Sequence, residues 1–105
     1  MAQFTVYRNK NPRSRGIYPL LVDVQTDLLE DLQTRVVIPL SKVAALSKKP
    51  VGQLTPVLEF EQASYVLLTP QLAGIPRMEL GAPAGSLAKS RDTILAALDF
   101  LLTGF

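Results

Sequence analysis

Three groups of charged residues are the only places where this chain offers side chains for chemistry. Asp23 and Asp27, four residues apart, carry carboxylates that could share a site or hold a cation, although an exposed acidic loop is the plainer reading. Arg35 stands against an apolar run and could stabilise an anionic transition state. Such an arginine more often pairs with a nearby acid, and Asp23 or Asp27 would serve. The third group is a segregation of charge. Residues 8–16, RNKNPRSRG, hold Arg8, Lys10, Arg13 and Arg15 with no acid, and residues 23–31, DVQTDLLED, hold Asp23, Asp27, Glu30 and Asp31 with no base. Either the two runs face one another within the molecule, or the basic run attracts an anionic partner.

Other chemistry lacks its residues. There is no His and no Cys, which removes the commonest general base, thiolate metal sites and disulfides. No P-loop, GxGxxG or HExxH motif occurs. No catalytic residue, metal or cofactor is therefore expected. The chain closes on the apolar segment FLLTGF: either Phe105 tucks onto the protein's own sheet, or Thr103, Gly104 and Phe105 form an apolar knob offered to another protein.

The elements that must position these groups follow from periodicity. The 105 residues suit one domain, 1–105, and 48% hydrophobic against 19% charged residues permits a packed core. QFTVYR, IYPLLVDVQ, TRVVIPL, TPVLEF, ASYVLLT and IPRMEL read as strands, with EQ a tight hairpin turn between the fourth and fifth. Pro19 should sit at a sheet edge or bulge. TDLLEDLQ is either a short helical turn or a loop, SKVAALS is too short for a firm helix, KKPVGQ is a loop and GAPAGS is a hinge-like break. From Leu87 the period changes. Leu87, Ile94, Leu95, Leu98, Leu101 and Leu102 form one helical stripe, with Ser86 as a cap and Gly104 at the stop. Leu98, Leu101 and Leu102 should face the core. The fold class is α+β: about six short strands in a small, partly open antiparallel barrel, followed by a C-terminal helix packed on the sheet. Eight prolines favour short, bent strands. MAQFTVYRNK does not read as a signal peptide and no run is long enough to span a membrane, so a soluble, cytoplasmic protein is expected.

Four segments, QFTVY, LVDVQTDLLEDLQTRVVIPL, LLTPQLAGIP and FLLTGF, together resemble the CcdB family of toxin–antitoxin toxins almost end to end. The resemblance implies a Src-homology-3-like barrel assembled as a twofold homodimer. It also implies an activity without catalysis: binding the A subunit of DNA gyrase and trapping that enzyme on cleaved DNA. The family's toxic determinant falls on Thr103, Gly104 and Phe105, with Leu28, Leu29, Asp99 and Leu102 at further gyrase-facing positions. Plasmid-type members carry Trp in place of Thr103 and a typical Ile in place of Phe105. A CcdA-like antitoxin with an acidic tail is the implied neutralising partner, and Arg8, Lys10, Arg13 and Arg15 offer it a complementary surface. The toxin–antitoxin complex is expected to repress its own promoter, touching operator DNA through the antitoxin. The competing readings are an endoribonuclease of the related small-barrel toxins, which would need Arg35, and a non-toxic chromosomal homologue.

Overall fold

The computed structural model describes residues 2–46 and 52–104. Seven strands run in chain order: β1 (Thr5–Asn9), β2 (Leu20–Asp23), β3 (Thr34–Lys42), β4 (Val57–Phe60), β5 (Ala63–Leu67), β6 (Ala73–Pro76) and β7 (Leu80–Ser86). A single helix, α1 (Arg91–Thr103), follows. All pairings are antiparallel, in the order β4-β5-β3-β2-β1-β7, and β6 joins the first half of β3. The nine-residue β3 makes this possible: Thr34–Val37 pair with β6, whereas Leu40–Lys42 pair with β5.

The sheet curls into a half-barrel, and its two edges meet through side chains. A Cβ added at Gly85 on β7 would lie 2.9 Å from Phe60 Cζ on β4. Gly81 on the same strand lets the Arg8 carbonyl come closer still, at 2.5 Å from where a Cβ would be. These approaches correct the reading of GAPAGS as a break. Its glycines are what allow that segment to run as an edge strand against β1 and beneath the Phe60 ring. IPRMEL is likewise two strands, not one, with a 3-10 turn at Arg77–Glu79 between them.

The EQ hairpin is as expected. Glu61 and Gln62 both have positive φ, 50° and 66°, the conformation of a two-residue type I′ turn. TDLLEDLQ contains a 3-10 turn at Asp27–Leu29, and Val43–Ala45 forms another. Pro19 immediately precedes β2, where its missing N–H interrupts nothing while its carbonyl accepts from Asn9 N at 3.0 Å.

Alternation along the strands divides the apolar residues between two faces. Val6, Val22, Ile38, Leu40, Leu58, Phe60 and Leu67 fill the concave face with Phe4, and Leu87, Ile94 and Ala97 cover them. Phe4 reaches this core from a left-handed backbone, φ 69°, which also places its N–H on Asp23 O and its C=O under Leu87 N. Tyr7, Leu21, Val37 and Leu80 form a second cluster on the opposite face, with Ile75 packed beside it.

The helix departs from expectation at both ends. It starts at Arg91, after a 3-10 turn at Ala88–Ser90, and Ser86 caps only that turn by accepting from Ala88 N at 3.1 Å. Gly104 does close it, with φ 80° and its N–H on Phe100 O at 2.9 Å. The apolar stripe, however, is interior only in its first half. Ile94 and Ala97 are fully buried and Leu98 is half-buried, but Leu101 is 36% exposed and Leu102 77%. The expectation that Leu101 and Leu102 face the core is therefore wrong. A helical period identifies an apolar stripe but cannot say how much of its length meets the sheet.

Candidate partner-binding site

Two stretches of the described residues present more than one leucine to solvent, while Ile17 and Met78 are exposed singly at 58% and 80%. The first is the loop after β2. Every residue from Thr26 to Gln33 is exposed, including Leu28 at 91% and Leu29 and Leu32 at 47% each. Thr26 starts its 3-10 turn, its hydroxyl accepting from Leu28 N at 3.4 Å. The second is the last turn of α1, where Asp99, Leu101, Leu102, Thr103 and Gly104 are all exposed. Thr103 is held down locally: its hydroxyl donates to Asp99 O at 2.7 Å. Of the residues expected to meet a partner, Leu28, Leu29, Asp99, Leu102, Thr103 and Gly104 are thus all accessible, and Phe105 lies outside the described residues.

Behind the loop, the sequence's chemical residues resolve into a structural unit. Arg35 Nε donates to Asp23 Oδ2 at 2.7 Å, with both side chains fully buried. Asp23 is therefore not part of an exposed acidic loop, and it shares no site with Asp27. The exposed Asp27 instead accepts from the Gln3 backbone N–H at 2.7 Å. Gln25 extends the buried unit. Its N–H donates to Asp23 Oδ1 at 3.0 Å, its carbonyl accepts from Arg35 Nη2 at 3.5 Å and its Oε1 accepts from Val36 N at 3.0 Å. Burial, reinforced by the Asp23 carboxylate, pushes the Tyr7 phenol above its ordinary value; the Thr5 hydrogen bond, Arg35 and Arg77 oppose the shift. Among the described residues no three acidic side chains converge as a cation site would require.

The basic run is a built loop. Asn9 Nδ2 donates to Ser14 Oγ at 2.9 Å and to Tyr18 O at 2.8 Å, while Asn9 Oδ1 accepts from Asn11 N at 3.0 Å. Asn11 Oδ1 accepts from Arg13 N at 2.9 Å. These two asparagines fold the backbone inward and leave Arg8, Lys10, Arg13 and Arg15 exposed. Among the described residues no ion pair joins any of the four to the acidic run. The loop also rims a groove of about 280 Å³ on the convex face, floored by Leu21, Val37 and Ile75 and flanked by Asn9, Tyr18 and Glu79.

Sequence reasoning missed this groove and the second apolar cluster beneath it. The available signal was the unbroken run Leu20-Leu21-Val22-Asp23-Val24: a strand without polar alternation is buried on both faces, and all four residues of β2 are buried. It also missed Gln25 and Arg77, whose roles depend on register and leave no mark in composition.

A curled antiparallel half-barrel carrying one C-terminal helix, with apolar side chains presented to solvent at a loop and at the helix end, defines a small-barrel α+β fold. The family model described as CcdB protein matches residues 3–104 of the 105, and the chain belongs to the CcdB family. Membership places it among the toxins of toxin–antitoxin systems. Among the described residues no helix is long and apolar enough to cross a membrane.

Proposed function

We propose that this toxin binds the A subunit of DNA gyrase and traps the gyrase–DNA cleavage complex. It does so as a binding protein, not an enzyme, by favouring one state of its target. The observation that carries the proposal is the exposure of Leu28 and Leu102, 91% and 77%, on the loop and helix end that the family uses against gyrase. Leaving large leucines in water is unfavourable by about 1.5–3 kcal/mol each relative to burial, and a partner recovers that energy. Leu29, Asp99, Gly104 and Phe105 complete the docking set. Thr103 cannot stack on a gyrase arginine as a tryptophan would, and its hydroxyl already serves Asp99 O. Affinity therefore rests on the leucines and on Phe105.

The nuclease reading needs Arg35 at a surface where RNA can reach it. Arg35 is fully buried and paired with Asp23, which favours the gyrase reading. A CcdA-like antitoxin with an acidic tail neutralises the toxin by docking on Arg8, Lys10, Arg13 and Arg15, and the pair represses its own operator through the antitoxin. The active species is a cytoplasmic homodimer. Expression in cells with sensitive gyrase should produce filamentation and DNA damage that vanish in a strain with resistant gyrase A. Normal growth at high expression would support the non-toxic homologue.

A further inference from the structure

The loop after β2 poses a physical problem: none of its residues from Thr26 to Gln33 is buried. With all eight residues from Thr26 to Gln33 exposed, hydrophobic packing contributes little to its shape. Its own 3-10 turn shapes it locally, through bonds such as Glu30 N to Asp27 O at 3.2 Å, and hydrogen bonds from outside fix that turn to the body. Gln25 Nε2 donates to Leu29 O at 3.0 Å. Arg77, half-buried in the turn between β6 and β7, donates from Nη2 to Glu30 O and from its backbone N–H to Gln33 O, the latter at 2.8 Å. The Gln3 backbone N–H holds Asp27 Oδ1.

The geometry points to Arg77 and Gln25 as positioning residues that latch the loop and preset Leu28 and Leu29 for docking, an inference that rests on the gyrase reading above. Gln25 is suited to this because it is itself fixed. It is 7% exposed, and the buried Arg35–Asp23 pair and Val36 N use its other polar groups. Rigidity therefore passes from a buried ion pair through one side chain to the carbonyl of Leu29. Arg77 supplies a second point from the turn between β6 and β7, on the adjacent Glu30 carbonyl, so two separate segments grip the chain directly after Leu28. A loop fixed before binding need not be ordered during it, which raises affinity without any added contact.

The test uses the full chain and the purified gyrase A subunit. Arg77→Met keeps the side-chain length and removes the donor to Glu30; Arg77→Lys keeps a charged donor. Arg77→Met should leave the melting temperature within a few degrees and speed hydrogen exchange at Leu28, Leu29, Glu30 and Leu32 about tenfold, because only local opening changes. Gyrase A binding should weaken roughly five- to tenfold, and Arg77→Lys should restore most of both effects. Unchanged loop exchange, or unchanged affinity in a variant whose loop has loosened, overturns the inference. Should Arg77→Met fail to fold, Gln25→Glu retains the acceptor for Val36 N, removes the donor to Leu29 and is held to the same outcomes. A wild-type chain that does not bind gyrase A while its loop loosens on Arg77→Met refutes the docking reading and leaves the latch standing.

Discussion

Arg35 and Asp23 meet at 2.7 Å with neither side chain exposed to solvent. Removing one partner would strand an uncompensated charge beneath the sheet. Arg35→Met or Asp23→Leu should each destabilise the protein by about 3–5 kcal/mol in denaturant titrations, whereas the double replacement should cost less than either. Single replacements without effect on stability would show the pair to be dispensable.

Gly85 and Phe60 form the seam where the two edges of the sheet approach. The backbone at Gly85 has φ 156°, and a Cβ there would lie 2.9 Å from the ring. Gly85→Val should lower stability by about 1–3 kcal/mol, and Gly85→Val with Phe60→Leu should recover part of it. Thermal melting of the two variants checks this.

Tyr7 links stability to alkaline pH. Burial first, and the Asp23 carboxylate second, raise its pKa above the ordinary 10.0, so the folded state retains the phenolic proton more tightly than the unfolded state does. The resulting stabilisation is fully present below pH 10 and is lost as pH rises through the folded value. Tyr7→Phe should therefore flatten the fall in stability above pH 10 and change its slope little below that. An unaltered alkaline slope in the variant would contradict the assignment.

The basic loop and the docking leucines should separate by mutation. Arg13→Glu with Arg15→Glu should weaken binding of the acidic antitoxin at least tenfold in low salt, with a smaller effect in high salt, and leave gyrase binding largely intact. Surface plasmon resonance at two ionic strengths measures both.

Much of the fold was readable from local pattern. Short apolar runs between turn residues located five strands, the EQ turn followed from its flanking runs, and Gly104 marked the helix stop. The errors share a physical origin in tertiary contact. GAPAGS reads as a break because glycine and proline weaken isolated strands, yet Gly81 and Gly85 are required by the Arg8 carbonyl and the Phe60 ring, both supplied by distant segments. Leu101 and Leu102 continue a valid helical stripe, but the helix carries them to positions that no buried residue covers. The Arg35–Asp23 pairing was one of two options in the sequence. Register decides it, because Asp23 lies opposite Val37 while Asp27 falls in the loop. The exposed basic loop was legible from residue type, whereas Leu28 was marked only by the resemblance to the family. The loop contacts of Gln25 and Arg77 left no sign in residue type, because single hydrogen bonds to the Leu29 and Glu30 carbonyls make them.

Isothermal titration of the wild-type chain and of Leu28→Asp with Leu102→Asp against the purified gyrase A subunit tests the central claim most directly. Both substitutions lie at exposed positions, so circular dichroism and melting should be nearly unchanged. The account predicts saturable binding for the wild type and an affinity at least a hundredfold weaker for the double variant, as loss of two interface anchors implies. Equal affinity in the two proteins, or no heat from the wild type, would contradict it.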